Sequence, residues 1–233
     1  MNCSHCMIES TPNGNHMPIE TYEKAIAFNV SYDPSLIFLS GGEPTDHPQF
    51  LEYLSMAKSY LSRGKVFYVL VASNGMFLED EAYTKEIIKI GVHFQITNDP
   101  RFYPKRIKKI EHPLFAYEEA LRIVTPIGRA ITSSIEISRQ TPLCFNLRSL
   151  CRSYQNFSNA LMHLRSISKM CIPSINADGS LVAGEASGCY KIGTVESTLE
   201  EITYNINNMK CGKCLLHSNL TDIHKKLWED MGG

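Results

Sequence analysis

The stretch at residues 36–44 reads Leu-Ile-Phe-Leu-Ser-Gly-Gly-Glu-Pro. Its four consecutive apolar residues predict a short strand that is buried on both faces. Gly41 and Gly42 then remove two side chains, which lets the backbone approach a ligand, and the acidic Glu43 follows. A tight turn from strand to helix, with Glu43 in solvent, would use the same residues.

Helical and strand-like segments alternate on both sides of this stretch. Apolar residues at helical spacing predict helices at 18–30, 50–61 and 79–90. Short apolar runs predict further strands at 66–71 and 92–96. Such alternation indicates βα units and a parallel sheet, either open or curled into a barrel.

Polar residues follow two of the predicted strands. Ser73-Asn74-Gly75 comes after the strand at 66–71, and Gln95 stands at the end of the strand at 92–96. In parallel sheets, ligands collect at the carboxyl ends of the strands, so these are candidate binding residues. A plain Asn-Gly turn explains the first group equally well, and a polar residue paired with a neighbour inside a barrel explains Gln95.

The eight cysteines are distributed unevenly along the chain. Two of them, Cys3 and Cys6, are followed by 137 positions without a cysteine. The other six are Cys144, Cys151, Cys171, Cys189, Cys211 and Cys214. In a reducing compartment, clustered cysteines bind metal or do redox chemistry more often than they form disulfides. The pattern predicts two separate metal-binding ends around a cysteine-free core.

Two residues between Cys3 and Cys6 let both thiolates face one metal. Zinc sites, redox dithiols and iron–sulfur clusters all use this spacing. The pair alone leaves the three uses open.

Composition excludes some classes of partner. A chain of 233 residues with 43% hydrophobic and 20% charged residues can bury a large core. A net charge of −1 gives no basis for broad attraction to nucleic acid or to anionic lipid. The sequence shows neither a secretory signal nor an apolar run of about 18 residues. We expect a cytoplasmic protein without a membrane span, and nucleic acid binding is not indicated.

Taken together, the Cys3-Ser4-His5-Cys6 loop, the Gly41-Gly42-Glu43-Pro44 turn and Ser73-Asn74-Gly75 resemble the radical S-adenosylmethionine (SAM) superfamily. That family carries a Cys-x-x-x-Cys-x-aromatic-Cys loop, a Gly-Gly-Glu-Pro motif after its second strand and a Thr/Ser-Asn-Gly motif after its third. The resemblance covers roughly residues 1–130. It implies an enzyme that reductively cleaves SAM at a [4Fe–4S] cluster, forming a 5′-deoxyadenosyl radical that abstracts a substrate hydrogen.

The resemblance also implies roles for individual residues. Cys3 and Cys6 are expected to ligate the cluster, and His5 to pack against the adenine of SAM. The residues expected to receive the amino group of its methionine part are Gly41, Gly42 and Glu43. Ser73, Asn74 and Gln95 are candidates for contacts to the ribose or the methionine. Arg129 follows another possible strand end and is a candidate for a forked contact to the cofactor's carboxylate; an exposed arginine is the alternative.

The N-terminus departs from the family pattern. The family's loop contains one more cysteine, four positions before Cys3, which would fall upstream of Met1. We therefore expect the functional polypeptide to be longer. We also expect residues 1–140 to form a partial (β/α)6 TIM-like barrel of the α/β class that lacks its first strand. With two thiolates the cluster should be labile, which puts the activity of this chain in doubt.

Residues 141–233 are predicted to form a small cysteine-rich α+β extension, with a helix at 156–170, an extended segment at 172–182 that turns at 178–179, and a helix at 198–209. Its cysteines resemble those of short auxiliary-cluster extensions of the SPASM or twitch type, which implies a second [4Fe–4S] cluster. The expected ligands are Cys171, Cys189, Cys211 and Cys214.

Other ligand sets for this extension stay open. The full form of such an extension has seven cysteines, and Gly184 stands where one is expected. Cys144 and Cys151 can replace one or two of the ligands or be buried core thiols. Four thiolates also fit a structural zinc ion.

Radical chemistry on an undetermined substrate, a peptide or a small molecule, is therefore the predicted function. A reduced flavodoxin or ferredoxin would supply the electron. The alternatives are a degenerate or truncated family member without catalysis, and a structural zinc-binding protein.

Overall fold

The computed structural model describes residues 3–6, 8–32, 36–103, 107–118, 129, 173–184 and 189–208. The predicted helix at 156–170 lies outside these residues. So do five of the predicted or alternative metal ligands: Cys144, Cys151, Cys171, Cys211 and Cys214.

The predicted alternation of helices and strands is confirmed up to residue 97. The elements are α1 (Ile19–Tyr32), β1 (Leu36–Leu39), α2 (Phe50–Ser62), β2 (Tyr68–Ser73), α3 (Glu81–Ile90) and β3 (His93–Thr97). Each boundary lies within two residues of its predicted position. Both ends of β2 are shifted by two residues, and the strand extends to Ser73, which is still paired with Ile96 of β3.

A fourth strand, β4 (Phe115–Glu118), completes a parallel sheet in the order β1-β2-β3-β4. Phe38 lies opposite Leu70 in the register of β1 and β2, and Phe94 lies opposite Phe115 in that of β3 and β4. The α/β class and the parallel sheet predicted from the sequence are thereby confirmed. Closure into a barrel and the missing first strand stay predictions.

One face of the sheet forms the core with the helices. Val69, Val71, Phe94 and Ile96 alternate with their strand neighbours and are fully buried, together with Leu54 of α2. Their burial supplies most of the driving force for folding, because each large apolar side chain removed from water contributes roughly 1.5–3 kcal/mol. The opposite face of the sheet is partly open, and Phe38, Tyr68 and Gln95 lie exposed on it.

Local sequence signals set the ends of α3. The side chain of Asp80 accepts a hydrogen bond from the backbone N–H of Tyr83 at 3.0 Å, which caps the first turn. Gly91 ends the helix in the left-handed conformation at φ 75°, which a residue without Cβ adopts without strain. Only two residues therefore separate the end of α3 from the start of β3.

Between β3 and β4 the described residues form irregular structure. The hydroxyl of Tyr117 donates to the carbonyl of Ile110 at 2.9 Å and accepts from its N–H at 3.0 Å, which fixes this connection on β4. The connection crosses the carboxyl edge of the sheet, where the candidate site lies.

A small antiparallel sheet forms a second unit. It contains β5 (Ser174–Ile175), β6 (Ser180–Val182) and β7 (Lys191–Thr194), and α4 (Leu199–Asn208) packs on it through buried Ile202 and Ile206. The turn predicted at 178–179 is confirmed, because Gly179 adopts φ 78° and its N–H donates to the Asn176 carbonyl at 2.9 Å. The assignment of residues 141–233 to a separate extension stays a prediction.

The two units touch at α1. Lys24 forms an exposed ion pair with Glu196, and Gly179 lies so close to Thr21 that an added Cβ would stand 3.2 Å from its methyl group. None of the helices in the described ranges is both long and apolar enough to span a lipid bilayer.

Candidate active site

The carboxylate of Glu43 joins the ends of two neighbouring strands. One oxygen accepts from the Ser73 hydroxyl at 2.9 Å, and the other accepts from the backbone N–H of Asn74 at 2.8 Å. The first oxygen also accepts from the hydroxyl of Thr45 at 2.7 Å and from its N–H at 3.2 Å. The structure thus brings the residues predicted after β1 and β2 into one hydrogen-bonded cluster.

The local backbone positions these groups. Glu43 caps a short 3-10 helix, Pro44–Asp46, and Pro44 suits its first turn because proline has no N–H to leave unpaired. After β2, the Asn74 side chain accepts from the N–H of Met76 at 2.7 Å, and the Ser73 hydroxyl accepts from the N–H of Gly75 at 3.0 Å. Both turns therefore direct polar groups toward Glu43.

Burial dominates the electrostatics of Glu43. Its side chain is 9% exposed, and loss of solvent raises the pKa of its carboxyl above the ordinary value. The hydrogen bonds from Asn74, Thr45 and Ser73 oppose this shift because they stabilise the charged form. Burial therefore makes ionisation of the Glu43 carboxyl unfavourable, and the hydrogen-bond donors offset part of this free-energy cost.

The two glycines before Glu43 expose their backbone. Gly41 has φ 148° and open space where a side chain would stand. An added Cβ on Gly42 would lie 3.3 Å from the Ser10 hydroxyl oxygen, so a larger residue would crowd the loop that carries the first two cysteines. Ser10 is the part of the chain that comes close to Gly42, and an approach of these glycines to a ligand stays a prediction.

Cys3 and Cys6 lie half-buried in a tight loop. The N–H of Cys6 donates to the carbonyl of Cys3 at 3.2 Å, and the N–H of Ser10 donates to the Cys6 sulfur at 3.3 Å. Burial raises the pKa of the Cys3 thiol, and its hydrogen bond with the Tyr103 hydroxyl acts in the opposite direction. The loop is ordered around its sulfur atoms by backbone and side-chain contacts.

Arg129, which is distant in sequence, donates three hydrogen bonds to carbonyl groups of this loop. Its Nε donates to the carbonyl of Cys3 at 2.8 Å, and its Nη2 donates to the carbonyl of Ser10 at 2.7 Å. Its backbone N–H donates to the carbonyl of Cys6 at 3.2 Å. The guanidinium lies beside the cysteine loop, and these donors face the loop's carbonyl groups. A contact to a cofactor's carboxylate stays a prediction.

His5 packs against two aromatic rings that follow β3. Its ring centroid lies 3.8 Å from that of Phe102 and 5.9 Å from that of Tyr103, with Tyr103 edge-on. Burial lowers the pKa of His5, so the ring is neutral at physiological pH, and its Nδ1 is buried without a hydrogen-bond partner. The hydrogen-bonding capacity of this buried nitrogen is therefore unused by the described residues, which is uncommon in folded proteins.

Sequence reasoning missed the turn that holds these aromatic rings, Asp99–Tyr103. The N–H groups of Phe102 and Tyr103 donate to the Asp99 carbonyl at 3.0 and 2.9 Å. The fully buried Asp99 carboxylate receives a forked contact from Arg101, with Nε donating at 3.0 Å and Nη2 at 2.5 Å. The signal for it was an Asp-Pro pair with two aromatics directly after a predicted strand end.

Gln95 lies on the open face of the sheet, opposite Ala72 in the register of β2 and β3. Its amide donates to the carboxylate of Glu118 on β4 at 3.1 Å. This is the pairing with a neighbour that the sequence left open as an alternative. A contact from Gln95 to a cofactor stays a prediction.

The thiols of Cys3 and Cys6 suit an iron–sulfur cluster, which is held by cysteine thiolates. Glycines with exposed backbone and the unpartnered Nδ1 of His5 lie near them, which fits a bound nucleoside-containing cofactor. Within the described ranges, no three His, Cys, Asp or Glu side chains converge on a metal position. The role of Cys3 and Cys6 as cluster ligands stays a prediction.

Of the cysteines predicted to bind a second cluster, Cys189 alone is described. It is half-buried just before β7, where the N–H of Ala183 donates to the carbonyl of Tyr190 at 2.9 Å. Gly184 is also described, and its carbonyl accepts from the Ser174 hydroxyl at 3.3 Å. The ligand set of this end stays a prediction.

Comparisons with known proteins agree with this geometry. Residues 1–135 match the family described as the Radical SAM superfamily, which is more than half of the chain. The fold is similar to the crystal structure of BtrN in complex with AdoMet and 2-DOIA. The TM-score is 0.52 at 13% identity, over 99% of this chain and 81% of that one.

A selenomethionine BtrN structure in an open conformation aligns with a TM-score of 0.47 at 12% identity, over 99% of this chain and 79% of that one. The sequence matches no curated protein.

Proposed function

The chain belongs to the radical SAM superfamily of enzymes, and we propose that it cleaves SAM reductively to start hydrogen abstraction from a substrate. The observation that carries this proposal is the Glu43 cluster at the carboxyl edge of the sheet, beside exposed glycines. BtrN, which shares the fold, binds AdoMet in its crystal structure. We infer that SAM occupies the corresponding edge here.

Cys3 and Cys6 would hold the [4Fe–4S] cluster. When bound, such a cluster supplies the electron that breaks the sulfonium carbon–sulfur bond of SAM, giving methionine and a 5′-deoxyadenosyl radical. Arg129 keeps the loop in shape through the carbonyls of Cys3 and Ser10.

Gly41, Gly42 and Glu43 would bind the amino group of SAM. A carboxylate offers about four lone-pair positions, and Glu43 already accepts four hydrogen bonds. An incoming amino group must therefore replace one donor. The Thr45 hydroxyl is the replaceable one, because it can rotate away, whereas the N–H of Asn74 is fixed by the backbone.

Ser73 and Asn74 are proposed to have two roles. The Ser73 hydroxyl and the Asn74 N–H hold the Glu43 carboxylate. The backbone of both residues at the end of β2 would face the ribose or the methionine part of SAM. His5 would contact the adenine through its neutral ring. To contact SAM, the Gln95 amide would have to give up its hydrogen bond to the Glu118 carboxylate.

The second unit is proposed to carry an auxiliary [4Fe–4S] cluster through Cys171, Cys189, Cys211 and Cys214. A reduced flavodoxin or ferredoxin in the cytoplasm would supply electrons. The substrate is proposed to be a peptide or a small molecule that enters over the open face of the sheet.

The test is anaerobic reconstitution of the protein with iron and sulfide, followed by incubation with SAM and dithionite. We expect 5′-deoxyadenosine and methionine to form in the wild type. Cys6→Ala should abolish both products, because it removes a cluster ligand, and Glu43→Gln should lower SAM affinity at least tenfold.

The matched control is Glu23→Gln, which removes an exposed carboxylate on α1. It should cleave SAM like the wild type. Cleavage that persists in Cys6→Ala, or stoichiometric zinc in a colourless wild-type protein, would contradict the proposed function.

A further inference from the structure

Ser10 is held by contacts to three of its groups, although it belongs to no helix or strand. Its backbone N–H donates to the sulfur of Cys6, one of the proposed cluster ligands, at 3.3 Å. Its carbonyl accepts from Nη2 of Arg129 at 2.7 Å. Its side chain lies against Gly42, where an added Cβ would stand 3.3 Å from the Ser10 hydroxyl oxygen. Tertiary contacts, and not a regular hydrogen-bond ladder, therefore place the donor on the Cys6 sulfur.

Arg129 holds both ends of the loop at residues 3–10. The guanidinium that binds the Ser10 carbonyl also donates from Nε to the carbonyl of Cys3 at 2.8 Å. Such a planar group presents its donors in a fixed fork, whereas a lysine carries the same charge as a single point on a flexible stem. The position of Ser10 relative to Cys6 therefore depends on the guanidinium of residue 129.

We propose that Arg129 is a positioning residue that keeps the Ser10 N–H on the Cys6 sulfur, and that this hydrogen bond raises the reduction potential of the bound cluster. In this role Arg129 acts through Ser10 and needs no contact with SAM. The inference rests on the proposed function, since it requires a cluster at Cys6.

The physical reason is the distribution of charge on reduction. A cysteine that ligates iron is a thiolate, and its sulfur accepts hydrogen bonds. One added electron makes the cluster and its sulfurs more negative, so an N–H donor stabilises the reduced form more than the oxidised form. Hydrogen bonds to the sulfurs are among the features that set iron–sulfur potentials. Loss of the Ser10 N–H contact should therefore make the potential more negative.

The first experiment compares two proteins that differ only in this donor. Ser10→Ala keeps the backbone N–H, whereas lactic acid at position 10 has the same methyl side chain and an ester oxygen in place of the N–H. Both are reconstituted without air and titrated with dithionite, and the reduced cluster is measured by electron paramagnetic resonance. We expect the equilibrium constant for one-electron reduction to be roughly threefold to tenfold lower in the ester protein, or about 30–60 mV toward more negative potential.

The second experiment tests Arg129 through its conservative variant. Arg129→Lys keeps the charge, so a negative shift of its potential reports the loss of the fork. In the ester protein the same substitution should add little further shift, because the N–H through which Arg129 acts is already absent. Arg63→Lys is the matched control, since Arg63 makes a similar forked contact to Ser59 on α2, and its potential should equal that of the wild type.

The outcomes separate this inference from the proposed function. Equal potentials in Ser10→Ala and the ester protein would overturn the role of the Ser10 N–H. A shift by Arg129→Lys that persists in full in the ester protein would overturn the positioning role of Arg129. Both results leave the proposed function intact, because the cluster is present. A wild-type protein without any cluster would overturn both.

Loss of the cluster in an altered protein also leads to a decision. If the ester protein holds none, the potential of Arg129→Lys decides, and a wild-type value there overturns the inference. If Arg129→Lys holds none, hydrogen exchange of the Ser10 amide is compared in the cluster-free wild type and the cluster-free variant. Faster exchange in the variant supports the positioning role, and equal exchange overturns it.

Discussion

The Glu43 carboxylate accepts four hydrogen bonds although almost all of its surface is buried. Burial favours its neutral form and the four donors favour its charged form, and burial is the larger effect on its pKa. The folded protein therefore binds a proton at Glu43 more tightly than the unfolded chain does. This imbalance makes stability depend on pH.

For an acid with a raised pKa, the stabilisation is fully present below the pKa of the unfolded state, which is about 4.3 for glutamate. It is lost as pH rises through the folded-state pKa. Glu43→Gln cannot titrate at this position, so the unfolding free energy of wild type minus that of the variant should decrease from about pH 4 toward neutral pH. Denaturant titrations at a series of pH values measure this difference.

The variant also carries a constant cost. The glutamine amide places an N–H₂ group where one carboxylate oxygen accepted, so the N–H of Asn74 or the donors of Thr45 lose a partner, at about 1–3 kcal/mol. Glu23→Gln again controls for the loss of an exposed charge. A difference between wild type and Glu43→Gln that stays flat over this pH range would refute the raised pKa.

Gly75 is required at its position for two independent reasons. Its φ is 80°, and an added Cβ would stand 2.5 Å from the Ile107 side chain and 2.6 Å from that of Ile96. Gly64 has a similar φ of 64° but open space around the Cβ position. The two glycines therefore separate backbone strain from overpacking.

We expect Gly64→Ala to lose about 1–2 kcal/mol of unfolding free energy, which is the backbone cost alone. Gly75→Ala should lose about 1–3 kcal/mol more, because two isoleucines must also move. Chemical denaturation of both variants measures the difference. Equal losses would show that the end of β2 relaxes freely, contrary to the packing described above.

Among the helices, α3 has an N-terminal cap whose contribution can be isolated. Asp80→Ala removes the acceptor for the Tyr83 N–H and should lower the unfolding free energy by about 1 kcal/mol. Gln49→Ala is the matched control, since Gln49 occupies the same position before α2 without a side-chain cap hydrogen bond. The prediction fails if thermal or denaturant unfolding gives the same loss for both variants.

The shape of the connection after β3 cannot be predicted from the spacing of apolar residues. The helices and strands up to residue 97 follow apolar spacing, because each repeats a local pattern. The turn Asp99–Tyr103 has no such period, and its shape comes from a carboxylate buried against Arg101. Only the packed sheet edge makes that burial possible.

For the whole molecule, the small sheet and α1 meet at Lys24 and Glu196. The proposed auxiliary cluster would be held by other cysteines than the proposed SAM-site cluster, so the two should be lost separately. We expect Cys189→Ala to lower the iron content from about eight to about four atoms per chain, the content of one [4Fe–4S] cluster.

Iron and sulfide analysis of the reconstituted natural polypeptide measures this change, and Cys3→Ala is the complementary variant. Each should retain the cluster that the other loses. Iron content unchanged by Cys189→Ala, or zinc bound in its place, would contradict the auxiliary-cluster proposal.

The sequence by itself determined the order of helices and strands and the polar motifs at the strand ends, including Glu43 and Ser73-Asn74-Gly75. These are encoded locally, in apolar spacing and in residues suited to turns. Tertiary packing set the partners of these residues, among them Arg129 on the carbonyls of Cys3 and Ser10. Those contacts join residues a hundred or more positions apart, and their geometry depends on how parallel strands stack, which no local pattern records.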